Sequence, residues 1–411
     1  MQRRDDIVPV LLGGDIAIYA LGRDFHEAYG LRSVCLASAP VAAIARSAIF
    51  DVYPLDGPAN DENVLAAVRD LADRDAEKTV FLMANTDAHI HLLGRIRDRL
   101  PENVVVPMPT LDIVQRVSDK AEFAEMCVRW GIRTPETVVI DLAGDGPIPP
   151  VDLPFPVVAK AAVAAEYQHL MTYEGFLKVH YIDSQVDLDA LWASLRAAGF
   201  HGRFVVQKLV RGDDTNIGMF TVYMDGEGHA RLFGSAQVLL EDHAPTMLGN
   251  PVAMLVTLQE DSLPAIEAML ADLGYHGFAN FDTKIDPETG ELLFFELNPR
   301  IGRNSFYLMA AGVNPVVTAV DDLVDGRGGD LVRTEGEALY TLVPRRLLMR
   351  YIADARLRER VTACYRAGKV ANPQHYRADR GLVRSLEVWL TEMNQYRKFH
   401  RYYPQLTDSG F

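Results

Sequence analysis

Two kinds of apolar pattern divide this chain. Over roughly the first 110 residues, short solid apolar runs at 7–12, 34–37, 79–83 and 104–106 alternate with helically spaced stretches that reach Ala28, then cover 64–72 and 90–100. A solid run is what a strand covered on both faces requires, and strand–helix alternation implies parallel crossovers. A parallel, doubly wound domain is therefore predicted over 1–115. A helix follows at 120–130, with Ser118 or Asp119 as its N-cap. Five prolines between 147 and 156 lead into an apolar strand that ends on Lys160. After an irregular stretch (161–177) come a strand at 178–182, a helix at 188–198 and a strand at 203–210.

From Thr215 the pattern turns antiparallel. Strands at 216–224 and 230–238 flank the turn composition Asp225-Gly226-Glu227-Gly228, and strands at 278–285 and 291–298 flank 286–290. Helices are expected at 263–273 and 315–325, and mostly helix after 341. The fold class is α/β and α+β multidomain, divided as 1–115, 116–205, 206–340 and 341–411.

Composition narrows the function. At 411 residues with 49% hydrophobic and 24% charged, a sizeable core is available and wholesale disorder is excluded. A net charge of −15 disfavours nucleic acid as a partner. The charge is uneven, because residues 345–411 hold 14 Lys and Arg against 6 Asp and Glu. Such a segment could meet an anionic substrate or a membrane surface, or form a solvated face against the acidic body. Cys35, Cys127 and Cys364 are odd in number and far apart, which suits a reducing cytoplasm and gives no metal-ligand spacing. No apolar stretch of about 20 residues is present, so no membrane span is expected. Gly13-Gly14 lacks the spacing of a dinucleotide fingerprint.

The densest chemistry lies in 278–304. A tight turn centred near 288–289 would set Asp282 opposite residue 295 or 296, and opposed residues lie about 4.5–5.5 Å apart. Glu296 and Asn298 share a face of their strand. Two carboxylates and an amide oxygen converging beside apolar flanks need a cation, and an oxygen-only set suits Mg²⁺. Arg300 follows at once, where a guanidinium could grip phosphate oxygens. Lys120 and Lys160, each unremarkable alone, become candidates for phosphate neutralisation beside such a hairpin. In 204–214 a strand running into Gly212 leaves backbone groups for an adenine edge, followed by a carboxylate for ribose.

In this order, these pieces resemble the ATP-grasp superfamily over roughly 105–325. The resemblance implies an N-terminal Rossmann-like (pre-ATP-grasp) domain at 1–115, a small lid domain at 116–205, a large domain carrying the metal hairpin at 206–340, and a basic helical segment packed on it at 341–411. It places nucleotide-binding lysines on Lys120 and Lys160, the adenine hinge on Gln207, Lys208, Leu209 and Val210, and the ribose acid on Asp214. The metal ligands fall on Asp282, Glu296 and Asn298, for Mg²⁺ or Mn²⁺. Arg300, with Lys160, takes the catalytic charge-stabilising role. Two departures stand out: Gln207 replaces the usual glutamate, and 161–173 lacks the glycines of a phosphate loop.

The runs Ala279–Asp286 and Phe295–Arg303 look like the carboxylate–amine ligase subgroup, which includes D-aspartate ligases acting on a peptidoglycan-precursor amine. The implied activity uses ATP to turn a carboxylate into an acyl phosphate, which an amine then attacks. Arg303, Asn304 and Ser305, with Asp15 and Arg23 upstream, are candidate substrate contacts. Other expectations left open are a ligase for other amino acids or dipeptides, an ATP-grasp kinase, or a non-catalytic nucleotide-binding protein. The partners implied are small carboxylate and amine substrates, and the assembly a monomer or homodimer.

Overall fold

A computed structural model describes residues 3–144, 146–167, 169–173, 175–245 and 247–407. The solid apolar runs of the first third form a five-stranded sheet, ordered Phe50–Pro54, Ser33–Ala37, Ile7–Leu12, Thr79–Ala84, Val104–Val105. Every neighbouring pair is parallel. The edge strand Phe50–Pro54 escapes a reading based on solid apolar runs because only Phe50 is fully buried in it.

Strand order reverses at Ile7–Leu12, so the ends of Ile7–Leu12 and Thr79–Ala84 flank a switch point, where doubly wound sheets present their ligand crevice. Gly13 to Asp15 follow the first of these strands, and Asn85 to Asp87 follow the second. Asp15 caps the helix Ile16–Tyr29 by accepting from the backbone N–H groups of Ala17 and Ile18.

A four-stranded antiparallel sheet follows, in the order Thr137–Asp141, Arg203–Lys208, Val157–Ala161, His180–Ile182. The helix Gln185–Ala197 buries Leu188, Leu191, Trp192 and Leu195 in the same core. Thr137–Asp141 completes this layer although no strand was read there, because its apolar run, Val138–Ile140, is only three residues long.

The third sheet has eight strands. Leu292–Asn298 forms one edge, followed by Gly277–Ile285, Ile217–Met224, Ala230–Asp242, Asn250–Val256, Leu339–Thr341 and Val370–Ala371, with Val332–Arg333 beside Ala230–Asp242. The basic C-terminal segment therefore supplies a strand as well as helices Arg345–Tyr351, Ala355–Ala367 and Leu382–Tyr402. Phe399 and Tyr403 enter one core with Leu239, Leu339 and Tyr351, which ties the last helix to the sheet. Among the described residues, no helix is long and apolar enough to cross a membrane.

Candidate active site

The hairpin of Gly277–Ile285 and Leu292–Asn298 carries the centre of the site. From the turn, Ile285 pairs Leu292, Lys284 pairs Leu293 and Thr283 pairs Phe294. The register then slips, and Asp282 pairs Glu296 while Asn280 pairs Asn298. Phe295 is the extra residue of a β-bulge, a device that re-aims side chains. Phe294 and Leu297, three apart, both enter the core with Ala279 and Phe281, so the alternation changes phase at the bulge. Glu296, Asn298, Asn280 and Asp282 are left on the opposite face.

Asp282 is tied in on both sides. Asn298 Nδ2 donates to its Oδ2 at 3.1 Å, and Asn280 Nδ2 to its Oδ1 at 3.4 Å. Asn280 is set in turn by Thr221, whose hydroxyl donates to Asn280 Oδ1 at 3.0 Å while accepting from Tyr307 at 2.9 Å. Gly302 sits so close that a Cβ there would lie 2.7 Å from Asn280 Oδ1, so the approach needs glycine. Asn298 turns its Oδ1 towards Arg300, at 3.2 Å from Nη2. Ligation of a metal through that oxygen would require the amide to turn over.

Burial and the Glu296 charge push the Asp282 carboxyl well above its usual range. Glu296 moves the other way. Burial opposes its charge, but the ammonium groups of Lys120 and Lys160 outweigh this and hold it below the carboxylate range. A divalent ion would offset the burial and the mutual repulsion that oppose two carboxylate charges here, so the donor set fits Mg²⁺.

Two cavities meet at Asp282. The first, about 200 Å³, is lined by Lys120, Lys160 and Lys178 together with Phe295 and Glu296. Lys120 Nζ lies 3.6 Å from Glu296 Oε2. Lys160 Nζ stands 5.6 Å from the Phe295 ring centre, a cation–π contact created by the bulge. Burial, followed by repulsion from Lys120, lowers the Lys160 ammonium to about 8. Three cations in a cavity this small call for a polyanion.

Lys178 escaped the sequence reading. Its signal was slight: the only lysine between Lys160 and Lys208, at the close of the irregular stretch.

The hinge residues lie at the end of strand Arg203–Lys208. Gln207 is buried; its Nε2 donates to Thr137 Oγ1 at 3.0 Å, and its Oε1 is covered without a partner among the described residues. An orphaned amide oxygen is costly, and an amino group such as that of adenine would satisfy it. The Lys208 N–H goes to Glu136 O at 3.0 Å, which removes that donor from any ligand. The side chains of Lys208 and Leu209 line a separate cleft with Pro154 to Pro156. Val210 is buried. Asp214 is buried too, and its Oδ2 accepts from Glu241 N at 2.8 Å and faces His243 Nε2 at 3.0 Å. One oxygen of the expected ribose acid is thus already taken. Beside it, burial and the Asp214 charge raise Glu241 to about 8.

The second cavity, about 310 Å³, is lined by Asn280, Asp282, Asn298, Arg300, Arg303 and Asn304, and by Ile16 and Ala17 from the first helix. The aspartates that follow the switch-point strands do not line it but pair with two of its arginines. Asp87 accepts from Arg300 Nε at 2.8 Å, and Asp15 pairs with Arg303 at 2.6 Å. Asp87 was not read from sequence, although its place after an apolar strand was a signal. Ser305 does not line the cavity; it is buried at the head of helix Phe306–Ala310.

Arg23 is not brought to the metal hairpin. It bonds the carbonyl oxygens of Asn372, Pro373 and His375, pairs with Glu27, and is sandwiched between Phe306 at 4.7 Å and Tyr376 at 4.5 Å. These contacts give it a structural task, as a clamp on the 372–376 segment.

Comparison with known proteins accords with this layout. No family model matches the chain. The D-aspartate ligase of Enterococcus faecium (strain Aus0004) is 28% identical over 413 residues, covering 97% of each chain. The biotin carboxylase domain of Hydrogenobacter thermophilus 2-oxoglutarate carboxylase, solved with MgADP and bicarbonate, superposes with a TM-score of 0.58 at 17% identity, over 82% of this chain and 74% of that one. The chain has the ATP-grasp fold. An L-amino acid ligase from Bacillus licheniformis gives a TM-score of 0.51 at 14% identity, over 78% and 74% of the two chains. The two cavities meet at the carboxylate pair, one lined by lysines and the other by arginines.

Proposed function

We propose that this protein is an ATP-dependent carboxylate–amine ligase whose activated acid is a small amino dicarboxylate such as aspartate. The observation that carries the reading is the Asp282–Glu296 pair, with three lysines on one side and two arginines on the other.

Lys120, Lys160 and Lys178 would bind and neutralise the phosphates of ATP, and Gln207 would accept from the adenine amino group. Asp282, Glu296 and Asn298 would hold Mg²⁺, which supplies charge neutralisation at the transferring phosphate. Arg300 aims the substrate carboxylate at the γ-phosphorus. A P–O bond forms as the bond to the ADP oxygen breaks, and catalysis is mainly positioning plus electrostatic stabilisation. The amine then attacks the acyl carbon; a C–N bond forms, the C–O bond to phosphate breaks with its electron pair leaving on phosphate, and the nitrogen loses a proton as the amide forms.

Two arginines suit two carboxylates: one is activated, and the other displaces Asp15 from Arg303. The relationship to a protein named D-aspartate ligase supports the same substrate class. The amine is proposed to be that of a peptidoglycan precursor.

The test is incubation with ATP, Mg²⁺ and hydroxylamine over D- and L-amino acids. A hydroxamate from aspartate, with stoichiometric ADP, is expected. Phosphate transfer with no hydroxamate from any acid would overturn the ligase reading. A hydroxamate only from acids lacking a second carboxylate would overturn the two-arginine assignment.

A further inference from the structure

The substrate-side cavity has a wall that the nucleotide half does not need. Thr391, Gln395 and Lys398 of the C-terminal helix Leu382–Tyr402 line it together with Asn280, Asp282 and Arg300. The steps of four and three put them on one helix face.

This helix is fixed at both ends. Near its start, Arg384 donates to the Ala43 carbonyl at 2.6 Å and pairs with Asp379 at 3.2 Å. Near its end, Lys398 pairs with Asp242 at 2.6 Å, and the Tyr403 ring stacks on His243 with centroids 3.5 Å apart. Between these anchors, Gln395 Oε1 is covered and has no hydrogen-bond partner among the described residues. A covered acceptor with no donor is costly to keep, and this one belongs to a residue of the cavity wall.

We propose that the C-terminal helix reads the amine substrate, with Gln395 accepting from an amide N–H of a peptide that carries the attacking amine. This rests on the ligase reading above, which assigns the arginine end of the same cavity to the acid. Thr391, Gln395 and Lys398 line the same cavity and take no part in that assignment, so they are left for the amine. Beside Gln395, the Lys398–Asp242 pair offers one charge of each sign, as a peptide bearing both an ammonium and a carboxylate requires. A peptide amine brings an amide N–H for the orphaned oxygen, whereas hydroxylamine has no peptide backbone to supply one.

The variant is Gln395→Leu, of similar size and without the orphaned oxygen, so its fold is retained. The tripeptide Ala-Lys-Ala and hydroxylamine are compared as amines, with aspartate as the acid. The ratio of kcat/KM for tripeptide over hydroxylamine is expected to fall at least tenfold. An equal fall for both amines, or no change, overturns the proposal. Calorimetric binding of Ala-Lys-Ala to the wild-type and variant proteins separates this from the ligase reading. At least fivefold weaker binding in the variant is expected whether or not turnover occurs. Equal affinity, or no binding to the wild type, overturns it. Absence of any wild-type hydroxamate counts against the ligase reading alone.

Discussion

Replacing Lys160 with methionine should stabilise the protein while damaging its function. Lys160 titrates at about 8 in the fold against 10.5 when free, because it is buried and faces Lys120. Below pH 8 the folded chain keeps an ammonium that it would bind less tightly than the unfolded chain does. At 1.36 kcal/mol per pH unit, holding that charge costs about 3 kcal/mol. Methionine, of similar length and no charge, removes the cost, so the ligand-free variant should melt several degrees higher at pH 7.

The gain has a defined pH window. Between pH 8 and 10.5 the unfolded state binds more protons than the folded state, so wild-type stability rises with pH through that interval and the advantage of the variant shrinks to nothing. Function moves the other way. The variant loses a cation from a three-lysine cavity, and the further stabilisation by saturating MgATP should fall well below that of wild type. Thermal melts with and without MgATP at pH 7, 8.5 and 10 check all three effects. A variant that melts lower at pH 7, or that gains as much from MgATP as wild type does, refutes the reasoning.

Glu296→Gln should leave the fold intact and reduce ADP formation by on the order of 10²–10³-fold, since a charged metal ligand becomes a neutral one; near-normal turnover in excess Mg²⁺ would remove the metal assignment. Chelation of divalent ions by EDTA should abolish ADP formation in the wild type, and added Mg²⁺ should restore it; activity that survives chelation would do equal damage. Arg23→Ala should cost about 2–4 kcal/mol of stability through lost stacking and charged hydrogen bonds. It should not change the KM of any substrate in the surviving folded fraction; a substrate-specific KM effect with unchanged melting would reinstate Arg23 as a substrate contact.

Much of the site was legible because strand pairing is local. Asp282, Glu296, Asn298 and Arg300 sit within 19 residues joined by one turn, so period-two alternation and a turn centre bring them together before any tertiary contact is known. Spacing left open whether residue 295 or 296 faces Asp282, since a bulge has no length signature of its own. Contacts across domains were harder. Asp87 with Arg300, and Gln395 with the cavity, depend on how separate layers dock, which no local periodicity encodes. Arg23 misled because a cation in the first helix looks alike from sequence whether it faces a ligand or stacks between two rings. The edge strand Phe50–Pro54 was missed because the solvent-facing side of a strand carries residues typical of a loop.

The slip at Phe295 has a consequence for how this segment can change over time. The phase of the two site-bearing strands is set between 294 and 298, several residues from the exposed bend at 286–290. Descendants of this gene can therefore lengthen, shorten or recharge that bend without turning Glu296 away from Asp282. Adding or removing a single residue between Phe294 and Asn298 has no such freedom. Length variation among its relatives should gather at the tip of the hairpin and be absent from its base.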